Sequence, residues 1–462
     1  MPETLPAPEP RPHDLEVVRA AAEAAVWAHP ALLGYRELRT ELRTGVAALG
    51  VLDHDDAPPA PGDGTRHADP LLLRSSAWLD LRVEPAVVGH PDLPAGLYSG
   101  AQVVDLLGTT VAHLGAASTG ADAGDWAVVG PGWDGPVPLG VRGVLRPTSS
   151  LVRVITRTAV PAPDDLPAAR AVQHGYRVRT LHALGGVTPP RPAPSVAWLP
   201  WDEERAWGAG FVDYLALLLR LARPADPADR ARVDRWVRLG VLPGGPAGWG
   251  PRGPDARTRV LVARGAALGA AQLEDALRRD GLGRGEATRD GARGTGPGTG
   301  PVTGPGGAAP ASADAPGSAA LRRAVAAERE LHAPEPDEVR TLRWRALGGE
   351  PLDGHRRYRM TLPGPPPARL HWSLAAHAEP SGELVAHRAR RYALGPGTPD
   401  LPWGRDGSLV VALQHDAPAD APGRAAWLPV PHGPFSLVLR LYAPVARPGG
   451  GAAWTPTLRA LG

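Results

Sequence analysis

A histidine beside an aspartate is the usual raw material of acid–base chemistry, and the stretch LQHDAP places His415 next to Asp416. A working dyad needs the carboxylate and the imidazole to meet at one void. On a regular strand, neighbouring side chains point to opposite faces, so this pair cannot act together. Asp416, followed by Ala417 and Pro418, reads instead as the cap of a turn. His415 alone stays a candidate general base. Asp105, which follows Val103 and Val104 on an apolar strand, is the second candidate.

Arg153 and Arg157 alternate with apolar residues in VRVITRTAV, so they share a strand face. Together they could clamp an anion bidentately, although a solvated face gives the same pattern and is the commoner outcome. Asp202, Glu203 and Glu204 cluster before a helix, where carboxylates more often serve capping and the helix dipole than catalysis. In GDWAVVGPGW, Trp126 and Trp133 suit either a stacking platform or aromatic plugs beside a Gly-Pro-Gly corner. Arg440 and Tyr442 share a face of FSLVLRLY with Val438. A polar set for recognition therefore comprises Tyr98, Gln102, Asp105, Trp133, Arg157, Arg391, Tyr392, His415, Arg440 and Tyr442.

Several chemistries are excluded outright. There is no lysine, hence no Schiff base or phosphate-loop lysine, and no cysteine, hence no thiolate, zinc-thiolate site or disulfide. No His-x-His pair occurs, and His371 and His377 stand ~20 Å apart on a straight strand, too far for one metal. No Gly-x-Ser-x-Gly elbow is present. The expectation is a protein without metal or cofactor. Net charge is only +2 with arginines interleaved among acids, which argues against nucleic acid as a partner. The sequence shows no leader pattern and no run of ~18 apolar residues, so a soluble, cytoplasmic protein off the membrane is expected.

Elements that would position these residues follow from periodicity. Residues 14–50 read as a helical segment that Pro30 should end or kink. Short alternating segments over 70–190, punctuated by Gly, Pro and Asp, read as an antiparallel β-sandwich. Residues 195–282 read as a helical insert, with FVDYLALLLRL apolar around most of its circumference. Residues 283–320 are almost wholly Gly, Pro, Ala, Thr and Ser, the composition of a disordered linker. Strand patterning resumes over 340–462, as a second β domain of sandwich or jelly-roll type. Glycine (57) and proline (55) account for the many turns this requires.

The run Ser75-Ser76-Ala77-Trp78, with Tyr98, Gln102, Asp105, GDWAVVGPGW, Arg157-Thr158 and DDLPAARAVQHGY, resembles the family called domain of unknown function 1254. Trp372-Ser373, RRYALG, DGSLVVALQHDAP and WLPVPHGPFSLVLRLYAP resemble its companion, domain of unknown function 1214. The resemblance implies a mainly β protein with a helical insert, an N-terminal immunoglobulin-like sandwich and a C-terminal jelly-roll-type domain. It implies no settled activity. This chain also departs from the pattern. Leu71, Leu72, Leu73 and Arg74 replace a polar run, and Ala25, Trp27 and His29 stand where tyrosines are usual. His377-Ala378 replaces Tyr-Asp, and Ala426 replaces asparagine. These departures point to a divergent member with an altered or lost ligand site. The resulting expectation is binding of a small or carbohydrate-like ligand. The alternatives are a hydrolase or lyase working between the two β domains, and a non-catalytic scaffold or homo-oligomer.

Overall fold

A computed structural model of the protein describes residues 11–44, 49–137, 139–244, 254–282, 318–445 and 454–461. The chain opens on α1 (Pro12–Thr44), which continues past Pro30 instead of ending there. A proline costs its helix a backbone hydrogen bond. Here Ala24, Ala28, Leu32, Tyr35 and Leu38 are buried in a shared core with later helices, and that packing outweighs the loss.

The first β region carries β1 (Asp53–His54), β2 (Leu72–Asp80), β3 (Ala86–His90), β4 (Ser99–Asp105), β5 (Thr110–Gly115), β6 (Gly124–Val128), β7 (Gly143–Leu145), β8 (Leu151–Ala159), α2 (Leu166–Gly175) and β9 (Arg177–Thr180). Five strands form one sheet in the order β1-β2-β8-β4-β5, and four form another in the order β7-β6-β3-β9. Ala77, Leu79, Val103, Val152 and Val154 of the first sheet share a core with Val88, Trp126 and Val128 of the second.

Helices follow: α3 (Leu181–Gly185), α4 (Glu203–Trp207), α5 (Phe211–Leu221), α6 (Pro227–Arg238), α7 (Ala256–Leu282) and α8 (Ser318–Arg329). Asp226 caps α6, its side chain accepting from Ala228 N, with Pro227 in the first turn. The expected linker falls on 283–317, outside the described residues, while 318–320 already belong to α8.

The last region holds β10 (Val339–Trp344), β11 (Ala346–Leu347), β12 (Glu350–Pro351), β13 (Arg357–Leu362), β14 (Ala368–Ala378), β15 (Ala393–Leu394), β16 (Leu409–Gln414), α9 (Ala421–Ala425), β17 (Trp427–Pro429), β18 (Phe435–Pro444) and β19 (Thr457–Leu461). They make sheets β10-β18-β14-β15 and β17-β16-β13-β19 besides the small β11-β12 pair. Apolar side chains of β13, β14, β16 and β18 share one core. The whole is a β-rich two-domain fold with helices attached. Among the described residues, no helix is long and apolar enough to cross a membrane.

One sheet face departs from the expected solvated arginine face. Register places Trp78 opposite Arg153 and Arg74 opposite Arg157, so these four share a face of the first sheet, while the alternate residues face the second. The arginine face is covered by α1. Arg153 has no exposed side-chain surface and pairs with Glu37 and, at 2.5 Å, with Glu41. Trp78 lies under the guanidinium at 5.4 Å and donates from Nε1 to Glu41 at 2.9 Å. Glu37 and Glu41, one helical turn apart, would repel each other without that cation. Removing one partner from such a buried network typically costs about 3–5 kcal/mol. We therefore expect Arg153→Ala to lower unfolding free energy by about that amount. Urea denaturation checks this, and a loss under ~1 kcal/mol would show that the pairing is energetically idle.

A candidate site in a cleft between helices and sheet

A cleft of about 730 Å³ opens where the β4–β5 turn meets α1, α6, α8 and the run after α8. Its walls include Trp27 and Pro30 of α1, Gln102 of β4, Thr109 and Thr110. The β4–β5 turn is built by Asp105, whose carboxylate accepts from Leu107 N (2.9 Å) and Thr109 N (2.8 Å). Gly108 completes it at φ +83°, a region that suits glycine, with its Cα side against Pro30. Asp105 is thereby a turn-forming residue. Burial pushes its carboxyl up to about 6, against the pull of those backbone donors.

Residues 330–335 form the opposite wall. Arg157 donates from Nη2 to His332 O at 2.6 Å and from Nη1 to Gln102 Oε1 at 2.9 Å. Gln102 in turn donates to Thr110 Oγ1 (2.9 Å) and Ala333 O (3.3 Å). The His332 ring lies with Nε2 2.9 Å from Glu37 Oε2. A carboxylate only accepts, which calls for a hydrogen on Nε2, whereas Arg153 Nη1, which only donates, lies 3.1 Å from the same nitrogen; the shorter contact to the charged carboxylate favours the hydrogen. Burial disfavours the charged imidazole, although Glu37 draws the other way. Burial also pushes the Glu37 carboxyl up, but Arg153 and His332 hold it well below the usual range.

Two residues lining this cleft carry a ring nitrogen that meets no partner: Nδ1 of His332 and Nε1 of Trp27 are both buried without a hydrogen bond. Leaving a buried polar group unsatisfied costs about 1–3 kcal/mol. Such orphans ask for a ligand or an ordered water. Glu37, His332 and Trp27 were not singled out from sequence as site residues. Two acids at i and i+4 facing an arginine strand were a legible signal for Glu37. Nothing local marks His332.

The sequence-selected residues are spread over separate places. Gln102 lines the cleft and Arg157 braces its wall, with Asp105 supporting the turn. Tyr98, Arg440 and Tyr442 meet at the junction of the two β regions, where Tyr98 and Tyr442 rings stand 4.5 Å apart. Tyr442 OH donates to Asp69 Oδ2 at 2.5 Å, and Arg440 bonds His67 O and, at 3.0 Å, Glu330. Glu330 is pushed up by burial, but Arg440 and Arg343 bring it down to about 2. This junction is packed shut. Trp133 folds over its own turn against Gly135. Arg391 donates to the backbone carbonyls of Arg424, Ala425 and Trp427, and Tyr392 packs beside Ala375 and Leu384. His415 lies past the end of β16, with Nδ1 on Val430 O (3.1 Å) and its ring against His387 and His432. Asp105, Arg157, His415 and Tyr442 thus line no shared cavity. Among the described residues, no three His, Asp or Glu side chains are arranged to hold a metal ion.

The junction also carries histidines that are costly to protonate. His371 has both ring nitrogens buried without a partner, and burial lowers it to about 4; His377 is lowered likewise. Between about 4 and 6.5 the unfolded chain binds protons that the fold refuses, so this contribution is complete above 6.5 and lost as pH falls. Glu338 has the opposite sign. Burial raises it to about 7, so its contribution is lost as pH rises through that value. The expected result is falling stability from pH 6.5 to 4. His371→Phe, which sacrifices no hydrogen bond, should recover about 3 kcal/mol of it at pH 4. Equal pH slopes for variant and wild type in urea titrations would refute the neutral, buried His371.

Residues 53–180 match the family described as protein of unknown function DUF1254, and residues 338–446 match that described as protein of unknown function DUF1214. The fold is similar to the crystal structure of the VPA0106 protein from Vibrio parahaemolyticus. That similarity has TM-score 0.68 and 19% identity, covering 96% of this chain and 100% of that one. A weaker similarity, TM-score 0.44 at 11% identity, links it to an uncharacterised protein from Burkholderia cenocepacia, over 97% of this chain and 95% of that one. No curated protein matches. With both domains present in order on one chain, the protein belongs to the two-domain DUF1254/DUF1214 family.

Proposed function

We propose that this protein binds a small, polar, carbohydrate-like ligand in the cleft between the first β region and the helices. The observation that carries this reading is a void of about 730 Å³ whose lining residues include Trp27 and His332, each of which has a buried ring nitrogen without a partner. The volume lies within the range of small-molecule sites. An indole beside hydroxyl, amide and carboxylate groups suits a ring that has one apolar face and a polar rim. Closely packed cores between facing sheets support the accompanying fold reading, an immunoglobulin-like sandwich followed by a jelly-roll-type domain. The hydrolase or lyase alternative, served by His415 or Asp105, gains nothing from their positions. One is in a surface group of histidines, and the other is engaged in closing a turn. A scaffold alone would leave a cleft of this size without a role.

Ala326 lines the cleft and is exposed, so Ala326→Trp fills it without disturbing the core. In a saturation-transfer NMR screen of monosaccharides, disaccharides and polyols, wild type should show binders whose signal Ala326→Trp abolishes. Binders indifferent to that substitution, or none at all, would overturn the reading.

A further inference from the structure

Among the described residues, four of the side chains lining the cleft are acids, Asp226, Asp229, Glu330 and Glu335, and Arg323 is the one arginine. Asp229 already pairs with Arg232 and Arg323, and Glu330 with Arg343 and Arg440. Among the described residues, every guanidinium at these acids is already engaged by a carboxylate, so a phosphate or carboxylate ligand would have to displace an existing partner. A neutral ligand meets no such penalty. On the same wall, His332 has three polar neighbours. Glu37 accepts from Nε2, Arg157 fixes the backbone carbonyl, and Arg153, 3.1 Å from Nε2 and itself only a donor, is turned to the carboxylates of Glu37 and Glu41. A proton on Nε2 leaves Nδ1 with a lone pair, which makes it an acceptor.

Building on the cleft reading above, we propose that the ligand is an uncharged polyhydroxy compound, one of whose hydroxyls donates to Nδ1 of His332. Glu37 is the positioning residue that keeps this nitrogen an acceptor by fixing the ring proton on Nε2. The indole N–H of Trp27, a lining residue, is likewise buried without a partner and supplies a donor for a ligand oxygen. A site that offers both an acceptor and a donor selects hydroxyls, which do both, over ethers and deoxy positions, which do not.

The test has a ligand-free arm and a ligand arm. Nitrogen-15 NMR of the full chain should find His332 as the Nε2–H tautomer. Glu37→Gln, whose amide can donate to Nε2, should move the proton to Nδ1. A wild-type Nδ1–H tautomer overturns this proposal and leaves the cleft reading standing. In the second arm, methyl α-glucopyranoside, myo-inositol and glucose 6-phosphate are titrated into wild type, Glu37→Gln, His332→Gln and His332→Asn, each checked for folding by circular dichroism. At least one neutral probe should bind wild type, and glucose 6-phosphate should bind at least tenfold more weakly than that probe. Glu37→Gln and His332→Gln should each weaken the neutral probe about tenfold, the scale of one hydrogen bond. Asparagine sets an amide oxygen near the place of Nδ1, so His332→Asn should retain most of the affinity. A neutral probe indifferent to Glu37→Gln and His332→Gln, or a phosphate bound equally well, overturns the proposal. If no probe of either kind binds and no screened ligand responds to Ala326→Trp, the cleft reading falls and takes this proposal with it.

Discussion

Arg153 is the constraint around which the protein is arranged. A guanidinium on a central strand of a sheet whose other face is already buried must find negative charge without reaching water. Helix α1 supplies it with Glu37 and Glu41, and Trp78 closes the ring from below. Once α1 is fixed over that face, its remaining sides become the seat for the later helices, and their apolar residues share one core with it. The ion pair thus does more than neutralise charge. It sets where the helical part sits on the sheet, and so where the space between them is left open.

The run from Glu330 to Glu338 makes the second set of attachments. Glu330 joins Arg343 and Arg440 of the last domain, while His332 O receives Arg157 of the first. Tyr98, next to Glu338, packs its ring at a tilt against Tyr442 across the same junction. One short segment therefore ties both β regions together and forms a wall of the cleft. The residues of the domain junction are buried against one another, whereas the cleft beside it is open. This difference separates the residues that brace from those able to meet a ligand.

Much of the scaffold was legible in the residues themselves. Alternation located most of the strands, the aspartate before Pro227 marked the start of α6, and the apolar run at 211–221 announced a core helix. Pro30 did not end its helix, because local propensity is weak against the packing around it. The arginine face does not lie open to solvent either. A period of two tells which residues share a face, but not whether that face meets water or a helix.

The sequence by itself determined the family, the order of elements and the chemistries that a chain without lysine or cysteine cannot perform. These depend on residue type and on near neighbours, which the sequence states directly. Only the tertiary structure decided which polar residues converge. Glu37, Arg153 and His332 are separated by 116 and 179 residues along the chain, so no local pattern could join them. The His–Asp pair of LQHDAP is adjacent in sequence, yet His415 bonds the Val430 carbonyl beyond the end of its strand. Proximity in sequence fixes which face a side chain takes, whereas a site is made where separate elements pack, and that depends on burial and charge pairing across the whole fold.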